Sequence, residues 1–253
     1  MNILMIGDVF SKSGRDVLQK ELNNIVTENN IDFIVVNGEN ISHGKGINKN
    51  HYDFLKSLGV DVITTGNHVF KVKETLEFIE QTPDLLRPLN LNKYLPGSGT
   101  IVVKKNGLKI RVTNLLGTVY MDHANNNYEI MDELIANDDS DIHLVDFHAE
   151  ASAEKKALAW NYDGKITALV GTHTHVPTAD AQILPKGTAY VTDLGMTGPI
   201  NSIIGANPEE VIRKEKTGLP TKFKPSENVG EINGIILQVK NKRAEKIWRV
   251  QTQ

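Results

Sequence analysis

Apolar positions along this chain follow two alternating patterns. The runs NILMIG, FIVVNG and VDVITTGN are apolar almost without interruption, as strands covered on both faces are. Between them apolar residues recur every three to four positions. Val17, Leu18, Leu22 and Ile25 share one side of a helix expected from Gly14 to Asn29, and Asn48 is placed to cap a second from Asn48 to Leu58. A third helix is expected from Lys71 to Glu80. This alternation predicts parallel βαβ units.

The middle of the chain changes style. In TIVVKKNGLKIRVTNLLG, Asn106-Gly107 divides two β-rich runs and predicts a hairpin. A helix is expected from Tyr128 to Asn137, a buried strand at DIHLVDF, a helix from about Ala151 to Trp160, and strands at ITALVG and TAYVTDLG. A last hairpin is read in EINGIILQVKNKRAEKIWRV, turning near Asn241 to Ala244. Residues 199–228 hold one helical patch, around Pro208 to Lys216. An excursion of that length suggests a lid or an interface. No linker or repeat breaks the chain, so residues 1–253 are expected to form one domain, with two sheets packed face to face and helices outside.

Composition narrows the chemistry. The 253 residues suffice for a substantial core, and 40% of them are hydrophobic. A net charge of −3 gives no overall attraction to nucleic acid or anionic membrane. The absence of cysteine excludes disulfides, thiolate metal sites and cysteine nucleophiles. Any metal must be held by His, Asp, Glu, Asn or water, which favours Mn, Fe, Mg or Zn. No stretch has the pattern of a signal peptide or a membrane span, and a cytoplasmic location is expected.

The polar residues gather at strand ends. The expected strands finish in Gly7-Asp8, in Asn37-Gly38-Glu39-Asn40, in Gly66-Asn67-His68, in Asp146-Phe147-His148-Ala149-Glu150 and in Gly171-Thr172-His173-Thr174-His175. In open α/β sheets, ligands bind beyond the carboxyl ends of parallel strands. The glycines suggest sharp backbone turns there. Residues i and i+2 of a strand face one way, so His173 and His175 are expected side by side. Singly, each residue has an ordinary structural explanation; together they suggest one metal-binding site.

These blocks resemble the calcineurin-like metallophosphoesterases, whose pattern runs GD, a second acidic block, GNH, a lone His and GHxH. Two departures stand out. Phe10 occupies the third position of the usual DxH, and Glu39-Asn40 replaces the usual Asp. With NGEN, GTHTHVPTAD and TDLGMTGP, the chain resembles the YmdB-type bacterial phosphodiesterases over almost its whole length. The resemblance implies a four-layer α/β/β/α sandwich, two divalent metal ions (iron first, manganese or magnesium otherwise), oligomers, and action on cyclic nucleotides, with a link to RNA. Glu39 would bridge the metals; Asp8, Asn40 and His175 would complete one site, and Asn67, His148 and His173 the other. Asn40 would replace the histidine lost at Phe10, leaving Phe10 in the pocket wall. Two carboxylates against two divalent ions and a bridging hydroxide leave about one positive charge, suited to a monoanionic phosphodiester attacked by that hydroxide. His68 is assigned as general acid to the leaving oxygen.

Other residues are assigned by position. Asp146 and Glu150 could orient a ligand histidine, and Glu150 could equally begin the next helix. Thr174 and Asp180 line the pocket or satisfy turns, and residues 195–199 shape its rim. His43, on a glycine-rich loop, is read as exposed. His51, His123 and His143 are read as structural or surface residues. The function expected is a dinuclear-metal phosphodiesterase acting on 2′,3′- or 3′,5′-cyclic nucleotides. The alternative is a regulatory nucleotide- or partner-binding protein with a metal centre and little turnover. A barrel amidohydrolase also uses HxH, but on its first strand, whereas here the motif lies in the second half of the chain.

Overall fold

The structure, a computed structural model, describes residues 1–252. The elements run β1 (Asn2–Ile6), α1 (Ser11–Glu28), β2 (Phe33–Asn37), α2 (Lys49–Ser57), β3 (Val62–Thr64), α3 (Thr75–Phe78), β4 (Thr100–Lys105), β5 (Leu108–Leu116), α4 (Asn127–Ala136), β6 (Ile142–His148) and α5 (Ser152–Asn161). There follow β7 (Ala168–Thr172), β8 (Gln182–Ile183), β9 (Ala189–Val191), β10 (Gly198–Pro199), α6 (Pro208–Thr217), β11 (Gly230–Glu231), β12 (Asn233–Lys240) and β13 (Arg243–Gln251). One mixed sheet has the order β13-β12-β1-β2-β3, the other β4-β5-β6-β7-β9-β8. The triplet β1-β2-β3 is parallel, as is the series β5-β6-β7-β9.

Strand alternation builds the layers. On β1, Ile3 and Met5 enter a core shared with Ile110 and Val112 of β5, Ile142 and Leu144 of β6, and Val170 of β7. Leu4 and Ile6 face the other way, onto Val17, Leu18, Leu22 and Ile25 of α1 and Leu55 of α2. On the far side, Val145, Phe147 and Leu169 pack against Met131 of α4, Leu158 of α5 and Tyr162 just after it. The result is a four-layer α/β/β/α sandwich. Each fully buried Leu or Ile in these cores contributes about 1.5–3 kcal/mol. Among the described residues no helix is long and apolar enough to cross a membrane.

Local chemistry explains most boundaries. Asn48 caps α2 by accepting from the backbone N–H of His51 at 2.8 Å. Asn106 and Gly107, with φ of 50° and 78°, form the tight turn between β4 and β5. Helix α1 begins three residues earlier than its sequence suggests. Phe10 provides no side-chain cap; instead Ser11 N donates to Asn40 O at 3.0 Å, so tertiary bonding fixes the start. The third helix is a single turn, followed by a 3-10 turn from Ile79 to Gln81. Residues 67–71 make consecutive turns, and the His68 N–H donates to the Glu39 carboxylate. The excursion is bracketed by the antiparallel pair β10–β11, and α6 within it buries no residue.

Two of the incidental histidines are structural. His143 is buried, with Nε2 2.9 Å from Thr113 Oγ1 and Nδ1 3.0 Å from Asp138. His51 Nδ1 lies 2.6 Å from Ser42 Oγ, beneath the loop that follows Asn40. His123 is exposed. Burial first, then the charges of Arg15 and His43, lowers the His51 pKa from 6.5 to about 4. The fold therefore favours neutral His51: its contribution is complete above about pH 6.5 and is lost as the pH falls toward about 4. Melting temperature measured between pH 7 and pH 4 should fall less steeply in His51→Asn than in the parent; equal slopes would show that His51 does not carry this dependence.

Candidate metal centre

Both sheets deliver their polar strand ends to one place. Asp8 follows β1, Glu39 and Asn40 follow β2, Asn67 follows β3, His148 ends β6, and His173 and His175 follow β7. Two groups of donors result. In the first, His175 Nε2 lies 3.4 Å from Asn40 Oδ1 and 3.9 Å from Asp8 Oδ1. In the second, His148 Nε2 lies 3.2 Å from Asn67 Oδ1, 3.0 Å from His173 Nδ1 and 3.7 Å from Glu39 Oε1.

The histidine pair reaches the centre by a different route from strand alternation. Strand β7 ends at Thr172, and both His173 (φ 102°) and His175 (φ 65°) adopt left-handed backbone conformations in the loop beyond it. Period-two geometry does not apply to them. Such strain costs of order 1–3 kcal/mol per residue and persists only where its surroundings hold it. The glycines, too, serve a different purpose. Gly7, Gly38, Gly66 and Gly171 all avoid the left-handed region; what matters is their missing Cβ. A Cβ on Gly66 would lie 2.2 Å from the His148 ring, one on Gly7 1.9 Å from Gly195 O, and one on Gly171 1.8 Å from Thr192 O.

Four of the donors are oriented from behind. His148 Nδ1 lies 2.9 Å from Thr172 Oγ1, which donates to Asp146 at 2.8 Å; this leaves Nε2 to face inward. His173 Nε2 lies 3.2 Å from Glu150, leaving Nδ1. His175 Nδ1 lies 2.9 Å from Ile204 O, leaving Nε2. The Asn40 amide donates to Gly44 O at 2.8 Å, which turns its oxygen inward. Phe10 meets His175 edge-on, with ring centroids 5.6 Å apart.

The carboxylates are the unusual members. Asp8 is 0% and Glu39 1% exposed, and Asp8 Oδ1 and Glu39 Oε2 have no hydrogen-bond partner among the described residues. Burial raises both pKa values, that of Glu39 well above the ordinary carboxylate range. Burial likewise lowers His148 and His173, so the imidazoles tend to be neutral donors. No three His, Asp or Glu side chains among the described residues form a metal-holding group by themselves; the set is completed by the two asparagine oxygens. Orphaned buried carboxylate oxygens beside neutral imidazole nitrogens and amide oxygens fit divalent cations of intermediate to hard character.

His68 stands at the mouth. Its Nδ1 is 3.4 Å from Glu39 Oε1. Burial first, then Lys45 and Lys71, lowers its pKa to about 4. In the free site it is therefore neutral at pH 7. Thr174 does not line the pocket: its backbone N–H and its hydroxyl both bond Asp193. Asp180 is a turn residue, bonded to Thr178 and Thr192. His43 is exposed.

Two supporting groups do more than the sequence suggests, and Asp146, read there as able to orient a ligand histidine, reaches His148 through Thr172. Asp146 accepts from Asn37 Nδ2 at 2.9 Å and from Thr64 and Thr172, joining β2 and β3 of one sheet to β6 and β7 of the other beneath the centre. Lys155, 0% exposed, donates to Asp193 at 2.8 Å and to Thr172 O at 2.9 Å, while Asp193 holds Thr174 and Gly195 N. The one available signal was a lysine on the face of α5 that also carries Leu158 and Ala159.

The chain also resembles known proteins. The model of the YmdB-like protein family matches residues 4–250. A Bacillus subtilis protein named 2′,3′-cyclic-nucleotide 2′-phosphodiesterase is 43% identical over 254 residues, covering 99% of this chain and 96% of that one. A crystal structure described as a novel phosphatase from Mycoplasma pneumoniae superposes with a TM-score of 0.96 at 41% identity, covering 100% of this chain and 93% of that one. A 5′-nucleotidase precursor from Thermus thermophilus shares the fold at 13% identity, with a TM-score of 0.58 over 99% of this chain and 54% of that one.

Lys155→Met should destabilise the fold by about 3–5 kcal/mol, because it leaves Asp193 buried without its cation. Denaturant titration checks this. A loss under about 1 kcal/mol would mean that Asp193 is neutralised by other means.

Proposed function

Because the chain belongs to the YmdB-like protein family, we propose that it is a dinuclear-metal phosphodiesterase that opens the cyclic phosphate of 2′,3′- or 3′,5′-cyclic nucleotides. The observation that carries this reading is the pair of solventless, unpartnered oxygens on Asp8 and Glu39, surrounded by three imidazoles and the Asn40 amide already fixed from behind, and by the Asn67 amide. In this reading Asp8, Asn40 and His175 would hold one ion and Asn67, His148 and His173 the other, with Glu39 a donor to both. The donor set favours iron, manganese or magnesium over zinc. Bound there, the ions would supply Lewis-acid charge for the phosphate oxygens and lower the pKa of water.

The chain's own residues do the rest. Phe10 closes one wall beside His175 and keeps bulk water from it. His68 would gain a proton once the substrate's negative charge raises its proton affinity, and as imidazolium would hydrogen-bond the leaving oxygen and pass it that proton, returning to the neutral form. Asp146 and Glu150 keep the imidazoles of His148 and His173 in the tautomers that leave a lone pair facing inward. The reading takes the whole chain as one catalytic unit, with residues 199–228 forming a lid or interface; Ile204 of that segment already fixes His175. A cytoplasmic homo-oligomer is part of the proposal.

Asn67→Ala and His148→Ala should each lose at least about 100-fold in kcat with 2′,3′-cyclic AMP and bind less than two equivalents of metal by elemental analysis, while keeping the parent circular dichroism. Unchanged turnover in either would remove the site assignment. Metal-loaded protein that binds nucleotide but never cleaves it would instead support a regulatory role.

His68→Ala should slow 2′,3′-cyclic AMP hydrolysis by about 10²–10⁴. It should slow bis-p-nitrophenyl phosphate far less, because that leaving group needs no proton. Equal losses on both substrates would exclude His68 as the acid.

A further inference from the structure

Phe10 is buried, yet it belongs to none of the three apolar cores among the described residues. Its ring packs against backbone instead. A Cβ on Gly44 would lie 3.0 Å from Phe10 Cζ, and one on Gly205 2.7 Å from both Cζ and Cε1. A Cβ on Gly198 would lie 2.9 Å from Phe10 Cβ. On another side the ring meets His175 edge-on. One side chain thus touches the loop after β2, the loop after β7 and the stretch from Gly198 to Gly205.

Those segments carry or orient two donors of the candidate centre, and both belong to the same group. Gly44 O accepts from the Asn40 amide at 2.8 Å, and Gly44 N donates to Asn40 O at 3.0 Å. Ile204 O, one residue before Gly205, lies 2.9 Å from His175 Nδ1. By contrast, the bonds behind His148 and His173 run to Thr172 and Glu150, and involve neither Phe10 nor residues 198–206.

The backbone around the ring is strained. His175 (φ 65°), Gly44 (88°), Ile204 (46°) and Gly205 (100°) are all left-handed, and for a β-branched residue such as Ile204 this is a genuine outlier. Strained backbone persists only where its surroundings hold it. The Phe10 ring is the contact that Gly44, Gly205 and His175 have in common.

We infer that Phe10 is a positioning residue for one ion of the proposed pair, acting through Asn40 and His175. The inference rests on the dinuclear reading above. Phe10 stands where the related pattern has a histidine, and it serves that ion by fixing donors rather than by ligation. Through Ile204 and Gly205, the same half of the centre depends on the 199–228 excursion. Asn67, His148 and His173 are independent of it. Loss of the ring therefore weakens one ion selectively, by the roughly 10–100-fold typical of a group that orients a ligand.

Titration of the metal-free protein with Mn²⁺, followed by calorimetry and electron paramagnetic resonance, tests this. The parent should take up two ions and give the signal of a coupled pair. Phe10→Ala should bind the first ion as the parent does and the second about 10–100-fold more weakly. At loadings where the parent shows the pair, the variant should show an isolated ion. Gly205→Ala crowds the ring instead of removing it and should act alike; it decides the matter if Phe10→Ala does not fold. Parent affinity for both ions, or equal weakening of both, would overturn the inference. Parent protein that binds fewer than two ions would instead defeat the dinuclear reading. The positioning of His175 is then read without metal, from histidine modification by diethyl pyrocarbonate located by mass spectrometry. In the variants His175 should react about tenfold faster, with His148 and His173 unchanged. An unchanged rate at His175, or equal acceleration at all three, would overturn the inference.

Discussion

Two carboxylates without solvent, Asp8 and Glu39, impose the constraint to which the surrounding structure responds. Moving a carboxylate out of water costs several kcal/mol even after the protein relaxes. Among the described residues, no lysine or arginine pairs with either group to offset that cost. The neighbouring imidazoles do not supply charge, since burial pushes His148 and His173 toward the neutral form. Either the carboxyl groups take up protons, or cations sit among the donors. Nitrogen and oxygen lone pairs fixed to face inward are arranged for the second outcome, and neutral imidazole is the form that ligates.

Those lone pairs come from two sheets, so their spacing depends on how the sheets are joined. Apolar packing between the inner faces sets the distance, but packing alone is not directional. Asp146 adds direction, accepting from Asn37 and Thr64 on one sheet and Thr172 on the other. Its pKa is raised by burial to about 7, which marks a carboxyl group whose desolvation is only partly offset by those three donors. Lys155 and Asp193 act similarly behind the strained loop, bonding the backbone on either side of His173. Structural ion pairs and the candidate metal centre are thus one connected polar network.

The layers of this fold were legible in the sequence because burial has a period. Ile3 and Met5 alternate with Leu4 and Ile6, and the two sets face opposite cores. The donors could be collected from strand ends for the same reason: parallel strands finish on one edge. What escaped were features fixed by partners distant in sequence. The start of α1 depends on Asn40 O, and the orientation of His175 on Ile204 O. A lysine at position 155 looks like any polar residue of a helix until Asp193 is brought against it.

Phe10 and Asn40 show how a departure from a motif can be made good locally. The related pattern has a histidine where Phe10 stands. Here the backbones of Phe10 and Asn40 pair directly. The Phe10 ring packs edge-on against His175, and the Asn40 oxygen lies 3.4 Å from Nε2 of that histidine. Loss of an imidazole from one chain segment is thus matched by an amide oxygen from the segment bonded to it. The exchange alters more than shape. An amide oxygen is a harder donor than imidazole, and it has no proton to gain in the pH range where histidine loses its lone pair. In the proposed centre, one ion would therefore be held in part through a donor that acid does not remove.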